Sequence, residues 1–311
     1  MSSSRSIGYG GRDLSSAPAL SQAVAREFLS SDEIQPERLY TLGPEGTFSD
    51  QAAKRVREAL GGVLPIVYTR TIPEVLAKTE TDPASFGVIP IENSDAGTVI
   101  PAQEGLVRHR LTVLGEYNLR VRFSLLANVP PANAKTLFTQ PVAYDQCTEF
   151  VTRHLPEAKV TFTNSNIESL ERFLAALAGE PSAAIVPFDA GQQFPGQLVH
   201  ADIQNFANNT TRFLVLRRRK DVEKFAYTRN KTSIYVEPLE DRPGLLYAVL
   251  SVFNTYRLNL CRLESRPDKV TPWKYVFFID FNNGPGSPQC VQDLAKTGNR
   301  ITVLGSFDTL E

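Results

Sequence analysis

The chain has 311 residues, of which 42% are hydrophobic and 22% charged, enough to form about two domains with ordinary apolar cores. Its 33 Lys and Arg residues are balanced by 34 Asp and Glu residues, so the net charge of -1 does not favour binding to nucleic acid or to an anionic membrane surface. The cysteines and histidines show neither CxxC nor HExxH spacing, and we therefore expect no disulfide framework and no metal site.

The N-terminal segment is rich in Ser, Ala and Arg and lacks the compact apolar core of a secretory signal. We interpret residues 1–37 as a poorly ordered tail with a short helix around Ala19–Leu29. No apolar run approaches the roughly 18 residues needed to cross a membrane. A cytoplasmic location is therefore the default expectation.

The first ordered segment is predicted to be a strand at Arg38–Leu42, followed by the loop Gly43–Ser49, which reads GPEGTFS. Apolar residues then recur at helical spacing as far as Leu60 and predict a helix. Free amides of the first helical turn can bind an anion, and Thr47 can add a hydroxyl group. A tight turn with a Ser or Thr helix cap explains the same residues equally well. Neither a Walker loop nor GxGxxG is present, so we expect no cofactor.

Two further strands, Ile66–Tyr68 and Phe86–Pro90, are separated by a helix near Ile72–Lys78. A carboxylate, an amide and a hydroxyl group follow the second strand, on the residues Glu92, Asn93 and Ser94. Polar side chains at the end of a buried strand face the crevice where open α/β sheets bind ligands. Helix capping explains one of these residues but hardly all three.

The strands predicted at Val113–Val121 and Phe123–Ala127 are long enough to carry the chain into a second lobe of about residues 114–200. Alternating strands and helices in that lobe predict a mostly parallel sheet. Thr139 lies at a strand end and Gln146 in the following helix. Ordinary capping and surface positions explain both residues if they stand alone.

The segment Asn208–Phe213, which reads NNTTRF, places two hydroxyl groups and a guanidinium just before an apolar run that predicts a strand. Thr211 and Arg212 at the mouth of that strand can both meet a small anion. Asx and Ser/Thr turns commonly open strands, and the segment taken alone fits such a turn better. The functional interpretation depends on the other polar clusters, which also lie at strand ends.

Residues 220–231 carry mixed charges and predict a solvated linker. In residues 232–311 the predicted strands and helices follow the order β-α-β-β-α-β. This order indicates a ferredoxin-like unit with helices on one face of an antiparallel sheet. The loop before its first helix ends at Gly244, where free amides can bind a carboxylate beside the apolar side chains of Leu245 and Leu246.

Taken in order, these segments resemble the prephenate dehydratase family from about Leu42 to Phe307. The motifs that carry the resemblance are GPEGTFSDQAA (Gly43–Ala53), GVIPIENSDAG (Gly87–Gly97), QC (Gln146–Cys147), NTTRF (Asn209–Phe213), RPGLLYAVL (Arg242–Leu250) and LESRP (Leu263–Pro267). The resemblance implies an α/β fold in which residues 38–219 form a two-lobed catalytic region like a periplasmic binding protein. Residues 232–311 would form a C-terminal ACT regulatory domain.

The resemblance also implies an activity and its partners. The family converts prephenate to phenylpyruvate in phenylalanine biosynthesis, and phenylalanine binds the ACT domain between two chains, so a homodimer or homotetramer is expected. The residues that match catalytic positions are Thr211, Glu92, Asn93 and Gln146. Further candidates for binding the substrate are Ser94, Thr139, Arg212, Phe213 and Thr47. The candidates for binding the effector are Gly244, Leu245, Leu246, Asn259, Leu260, Glu264, Ser265 and Arg266.

Three segments depart from the family pattern. Thr139–Ala143 lacks the usual His and second Gln, the common Glu before Gly97 is missing, and Ser165–Leu170 departs from STAxAA. Two other functions therefore stay open: a prephenate decarboxylase that keeps the hydroxyl group, and a catalytically silent protein that senses an amino acid. Retention of Thr211 argues against both.

Overall fold

The structure is a computed structural model that describes residues 36–220, 225, 227–268 and 274–310. The helix predicted around Ala19–Leu29 and nearly all of the predicted tail lie outside the described residues, and the predicted linker is described only in part. Among the described helices, none has the length and apolar character needed to span a bilayer.

The helices and strands fall into three groups along the chain. The first lobe contains β1 (Arg38–Leu42), α1 (Phe48–Ala59), β2 (Ile66–Thr69), α2 (Ile72–Thr81), β3 (Ser85–Asn93), β4 (Gly97–Thr98), α3 (Ile100–Arg108) and β5 (Leu111–Arg120). The second lobe contains β6 (Phe123–Ala127), a 3-10 turn (Pro131–Asn133), β7 (Thr136–Thr139), α4 (Pro141–Gln146), α5 (Thr148–His154), β8 (Lys159–Phe162), α6 (Asn166–Ala176), β9 (Ser182–Pro187), α7 (Phe188–Gly191) and β10 (Leu198–Ala201). The chain returns to the first lobe through β11 (Thr210–Arg218). The C-terminal unit contains β12 (Lys231–Pro238), α8 (Leu245–Thr255), β13 (Leu260–Pro267), β14 (Tyr275–Asn282), α9 (Ser287–Lys296) and β15 (Asn299–Leu310).

The described strands form two sheets. The larger has the order β13-β14-β12-β15-β5-β11-β3-β1-β2, with β4 paired to β3. The smaller has the order β10-β6-β9-β7-β8, and its strands β7, β8 and β9 run parallel. The chain crosses between the sheets at residues 121–122 and again at residues 202–209. The predicted two-lobed α/β fold is confirmed.

The lobe boundary differs from the prediction. β5 pairs with β11 from Leu111 to Arg120, so it stays in the large sheet over its whole length. The second lobe therefore begins at Phe123 rather than near residue 114. At the boundary, Arg122 donates two hydrogen bonds to the Asp202 carboxylate, at 2.6 and 2.7 Å, and so joins the two segments that cross between the sheets.

The central strands are apolar because the large sheet is covered on both faces. On β11, Phe213 and Val215 belong to the core against α1, whereas Leu214 and Leu216 belong to the core against α2 and α3. Phe278 of β14 also belongs to this second core. The C-terminal unit therefore packs on the face of β11 that carries the even-numbered side chains.

The C-terminal unit has the predicted β-α-β-β-α-β order, with α8 and α9 packed into one core against its antiparallel strands. Its last strand, β15, pairs in parallel with β5 from Asp308 to Leu310, so one sheet runs through both parts of the molecule. Gly305 lies where the two strands approach, and a Cβ atom there would come within 2.2 Å of the Val113 carbonyl oxygen. The junction therefore requires glycine at this position.

Candidate active site

A cleft of about 350 Å³ lies between the two lobes. Its polar lining is made of hydroxyl and amide side chains: Thr47, Ser49, Asn93, Thr98 and Thr211 from the first lobe and its returning strand, and Gln140, Gln146, Asn164, Ser165 and Asn166 from the second. Among the described residues that line this cleft, none is Asp, Glu, Lys, Arg or His. The described lining therefore offers neutral dipoles to a bound molecule.

Asn93 lies at the centre of a hydrogen-bond network that joins the two lobes. Its Nδ2 donates to Asn209 Oδ1 at 2.8 Å and to Thr211 Oγ1 at 2.9 Å. Its Oδ1 accepts hydrogen bonds from the amides of Asp95 and Ala96, at 3.0 and 2.8 Å, and from Gln146 Nε2 at 3.3 Å. These partners fix the orientation of the Asn93 amide group, because its nitrogen has only acceptors as partners and its oxygen has only donors.

The hydroxyl group of Thr211 is oriented by this network. Because Asn93 donates to its oxygen, the hydroxyl proton points elsewhere, and no described acceptor takes it. The residue is only 9% exposed and lines the cleft. Thr211 is thus held as a donor toward whatever occupies the cleft.

Asn209 completes the network and was not among the predicted site residues. It is 1% exposed, accepts from Asn93 and donates from its Nδ2 to Gln146 Oε1 at 2.9 Å. The sequence contains a signal for it, because it begins the NTTRF motif. A buried amide that bridges two other buried amides fixes their orientation, so Asn209 positions Asn93 and Gln146.

The register between β3 and β11 decides which residues reach the cleft. Thr211 lies opposite Asn93, and Arg212 lies opposite Glu92. Directly opposed residues of an antiparallel pair point to the same face, and successive residues point to opposite faces. Thr211 and Asn93 therefore share the cleft face, and Arg212 and Glu92 share the other.

Neither Glu92 nor Arg212, both predicted to act on the substrate, therefore lines the cleft. Arg212 Nε lies 2.5 Å from the Glu116 carboxylate, and its Nη1 lies 2.6 Å from that of Asp280. Glu92 lies 3.4 Å from Arg262 Nε and 3.9 Å from Arg212. These partners belong to β5 and to the C-terminal unit.

Two members of this group, Glu116 and Arg212, have side chains that are 0% and 14% exposed and pKa values that are shifted by their neighbours. Burial acts to raise the pKa of Glu116, but Arg212 and Lys231 outweigh it, and the pKa lies below its ordinary value. Burial acts to lower the pKa of Arg212, and Asp280 and Glu116 reverse that effect, so its pKa is raised. Arg212 therefore stays charged and engaged with two carboxylates.

Two other predicted substrate contacts also lie outside the cleft. Ser94 accepts a hydrogen bond from the Thr210 amide at 2.9 Å, which joins the end of β3 to the start of β11. Thr139 is fully buried and donates to the carbonyl of Gln140 at 3.2 Å. Gln140, the next residue, lines the cleft and caps α4 through the Ala143 amide. Ser94 and Thr139 therefore do not line the cleft, whereas the predicted residues Thr47 and Phe213 do.

Two long helices begin at the cleft, one in each lobe. Thr47 caps α1, whose buried Asp50 accepts hydrogen bonds from the Gly46 amide at 2.8 Å and the Tyr68 hydroxyl at 2.6 Å. Ser165 caps α6 through the Glu168 amide, and Glu168 accepts from the Asn164 amide at 2.7 Å. The amides of the first turn of a helix have no partner within it, so both helix ends offer donors to the cleft.

A second, more open pocket of about 360 Å³ lies in the C-terminal unit, beside α8, β13 and β14. Four predicted effector residues line it, namely Gly244, Leu245, Leu246 and Ser265, together with the unpredicted Arg242, Tyr275 and Phe277. The pocket of the single chain does not include the other four candidates, Asn259, Leu260, Glu264 and Arg266.

Comparisons with known proteins agree along most of the chain. The family model for prephenate dehydratase matches residues 39–221. Prephenate dehydratase of Methanocaldococcus jannaschii is 30% identical over 277 residues, which cover 88% of this chain and 98% of that protein. The protein of the same name from Amycolatopsis methanolica is 32% identical over 274 residues, 87% of this chain and 88% of the relative. The crystal structure of prephenate dehydratase from Arthrobacter aurescens in complex with L-Phe is 28% identical with a TM-score of 0.74, and the match covers 88% of this chain and 90% of that one. The predicted family and its enzyme activity are therefore confirmed, and the chain belongs to the prephenate dehydratase family.

Proposed function

We propose that the cleft between the lobes carries out the decarboxylating dehydration of prephenate, with Thr211 assisting the departing hydroxyl group. In this reaction the C–C bond to the ring carboxylate breaks, its electron pair enters the ring, and the C–O bond to the hydroxyl group breaks. The products are phenylpyruvate, carbon dioxide and hydroxide. Aromatisation drives the reaction, so the protein needs to position the substrate and stabilise the leaving hydroxide.

The observation that carries the proposal is the contact between Asn93 and Thr211. The 2.9 Å hydrogen bond from Asn93 fixes the Thr211 oxygen as an acceptor and leaves its proton for the leaving group. Negative charge develops on that group as the C–O bond breaks. A preorganised donor directed at developing charge strengthens its hydrogen bond in the transition state, where it accelerates the reaction.

The neutral lining of the cleft fits a reaction that expels carbon dioxide. A cation beside the ring carboxylate would stabilise the ground state and oppose its loss, because only differential stabilisation of the transition state increases the rate. We assign binding of the substrate's carboxylates to neutral donors: the first-turn amides of α1 and α6 and the side-chain amides of Gln146 and Asn166.

The decarboxylase alternative requires a group that delivers a proton to a ring carbon. Glu92, which matches a catalytic position of the family, does not line the cleft and lies 3.4 Å from Arg262 Nε. Among the described side chains that line the cleft, none titrates in the physiological range. The arrangement therefore favours loss of hydroxide over protonation of the ring.

The test is to incubate the purified full chain with prephenate at neutral pH and to identify the product by mass spectrometry, with a sample lacking protein as control. We expect phenylpyruvate. A non-aromatic product that keeps the hydroxyl group would establish the decarboxylase instead. No turnover by a folded protein that binds prephenate would establish the catalytically silent alternative.

We further propose that the C-terminal unit is an ACT domain that binds phenylalanine and reduces activity. The related Arthrobacter aurescens prephenate dehydratase has been crystallised in complex with L-Phe. In this chain, α8 begins after Gly244, whose φ of 78° places it in the left-handed region, and its first-turn amides lie beside the pocket. Leu245, Leu246 and Phe277 supply an apolar wall for the phenyl ring.

Assembly of two or four chains forms part of this proposal. β13 is the edge strand of the described sheet, and it carries Leu263, which is 40% exposed, next to the pocket residue Ser265. A second copy packed at this edge would bring Asn259 and Leu260 of the facing chain toward the pocket. We also keep the catalytic region at residues 38–219, the regulatory domain at 232–311 and a cytoplasmic location as parts of the proposal.

Calorimetry with phenylalanine, and light scattering with and without it, test this assignment. We expect saturable binding to a dimer or tetramer and loss of that binding in Gly244→Leu, because a side chain at a left-handed glycine strains the loop and fills the pocket entrance. Binding that Gly244→Leu leaves unchanged would contradict the assigned site.

A further inference from the structure

A contact between the C-terminal unit and the cleft is made by Arg262 of β13. Its side chain is 7% exposed, and its Nε lies 3.4 Å from Glu92, the residue that precedes Asn93. Its Nη2 donates to Thr98 Oγ1 at 3.3 Å and to Gln103 Oε1 at 3.0 Å. Thr98 lines the cleft, so Arg262 reaches a residue of the cleft wall from the opposite side.

Asp280 of β14 makes a second such contact. Its side chain is 3% exposed, and its carboxylate accepts a 2.6 Å hydrogen bond from Arg212, the neighbour of Thr211 in the chain. Arg212 and Lys231 also share the fully buried Glu116 carboxylate, each at 2.5 Å. The three cations Arg212, Lys231 and Arg262 are thus balanced by three carboxylates on Glu92, Glu116 and Asp280.

We propose that Arg262 and Asp280 are positioning residues, which couple the occupancy of the C-terminal pocket to the geometry of Thr211 and Asn93. The inference rests on the proposed function, since it assumes that phenylalanine binds that pocket and that Thr211 is catalytic. β13 carries both Arg262 and the pocket residue Ser265, and β14 carries both Asp280 and the pocket residue Phe277. Each strand therefore runs from the effector pocket to the back of the catalytic pair.

The ion pairs explain why a movement of β13 or β14 would also move the ends of β3 and β11. Separating a buried ion pair leaves charges without compensation in a medium of low dielectric constant, which is strongly unfavourable. A shift of β14 therefore takes Arg212 with it through the buried pair with Asp280, and a shift of β13 acts on Glu92 through its partly exposed pair with Arg262. Their chain neighbours Asn93 and Thr211 lie on the other face of the same two strands, so the 2.9 Å hydrogen bond between them changes with the shift.

The experiment measures kcat/KM for prephenate with the full chain, without phenylalanine and at saturating phenylalanine. For the unaltered protein we expect a change of about tenfold or more, within the usual range of allosteric coupling. In Asp280→Asn, Arg262→Gln and Glu92→Gln, we expect phenylalanine still to bind by calorimetry but the change in kcat/KM to fall below about threefold. A residue that only stabilised the fold would not separate binding from response in this way.

Two further variants sharpen the test. Arg300→Gln on β15 removes an exposed cation that pairs with Glu237 of β12 in the same unit, and it should keep the full response. The exchange Glu92→Arg with Arg262→Glu restores opposite charges and should recover part of the response lost in Arg262→Gln. The Glu92 side chain is 38% exposed, so Glu92→Gln decides the question if Asp280→Asn does not fold.

The outcomes separate the inference from the proposed function. If the unaltered protein forms no phenylpyruvate, or binds no phenylalanine, both are overturned. If the unaltered protein is regulated and folded Glu92→Gln and Arg262→Gln respond to phenylalanine as fully as it does, only the coupling inference is overturned.

Discussion

The paired ends of β3 and β11 present two opposite kinds of surface. The face toward the cleft carries the amide of Asn93 and the hydroxyl group of Thr211, and the described cleft around them has no charged side chain. The face toward the C-terminal unit carries Glu92 and Arg212, which belong to a group of six charged side chains centred on the buried Glu116 and Asp280. The two surfaces are the opposite faces of the same two paired strands.

The difference shows how one strand pair can serve two purposes. On the cleft side, neutral donors avoid stabilising the carboxylate that must leave, while they remain able to assist the leaving hydroxide. On the other side, fixed charges hold β3 and β11 against β5 and the C-terminal strands. Removal of one buried charge should therefore damage stability, whereas changes on the cleft side should damage turnover.

The largest expected effect is on the charged face. Glu116→Gln removes a carboxylate that lies 2.5 Å from both Arg212 and Lys231 and leaves Arg212 with the Asp280 carboxylate, so the free energy of unfolding should fall by about 3 to 5 kcal/mol. Urea titration of the purified protein measures it. The control is Glu237→Gln, whose partner Arg300 is exposed, with an expected loss below about 1 kcal/mol. Equal losses in the two variants would contradict the distinction between buried and exposed pairs.

On the cleft face, Thr211→Ala should leave the fold intact and reduce kcat. Loss of one preorganised donor to a developing anion costs about 2 to 4 kcal/mol, or roughly a 30- to 900-fold reduction in kcat. Thr211→Ser keeps the hydroxyl group and is the matched control, which should retain most of the activity. An unchanged kcat in a folded Thr211→Ala protein would remove Thr211 from the mechanism.

A charge introduced on the cleft face should also be harmful, to a smaller degree. Gln146→Glu places a carboxylate in the neutral cleft, where it repels an anionic substrate, and it removes the hydrogen-bond donor to Asn93. The resulting decrease in kcat/KM should correspond to about 1 to 3 kcal/mol and should arise mainly from a higher KM. Burial raises the pKa of such a carboxyl group, because it disfavours the charged form.

The loss in Gln146→Glu should therefore shrink as the pH is lowered from 8 toward 5.5. Steady-state rates for the variant and the unaltered protein across that range provide the measurement. A loss that stays constant with pH would mean that the introduced charge is not its cause.

The sequence predicts the fold class and the strand ends that form the cleft, because apolar periodicity and turn residues are local signals. It does not decide between neighbouring residues at a strand end. One position separates Glu92 from Asn93 and Arg212 from Thr211. That single step determines which face of the sheet a side chain lies on. Which face belongs to the cleft depends on the register of β3 with β11, whose partners are far apart in the chain.

The partners of Arg212 illustrate what else the sequence cannot supply. Its ion pairs join it to Glu116 on β5 and to Asp280 on β14, and both contacts depend on the packing of the C-terminal unit against the first lobe. Thr139 and Gln140 show the same limit in the second lobe, where the cleft residue is one position beyond the predicted one. Asn209 was within a recognised motif, but its bridging role appears only when Asn93 and Gln146 are brought together.

The smallest expected effect is the pH dependence of the stability that Glu116 on the charged face contributes. The pKa of Glu116 is lowered in the folded protein, because Arg212 and Lys231 outweigh the effect of burial. A carboxyl group of this kind binds protons more weakly in the folded state than in the unfolded one. Its contribution to stability is therefore complete above its ordinary pKa of 4.5 and is lost as the pH falls from there through the lowered value.

Glu116→Gln cannot ionise at this position, so the comparison of the two proteins isolates the contribution. The difference between their free energies of unfolding should be constant from pH 7 to about pH 5 and then shrink toward pH 3, as protonation of the unfolded Glu116 removes the advantage of the unaltered protein. Other carboxyl groups with a lowered pKa, such as Asp293 at about 2, are present in both proteins and cancel from the difference. A difference that stays constant or grows in acid would show that Glu116 is not held as a carboxylate by Arg212 and Lys231.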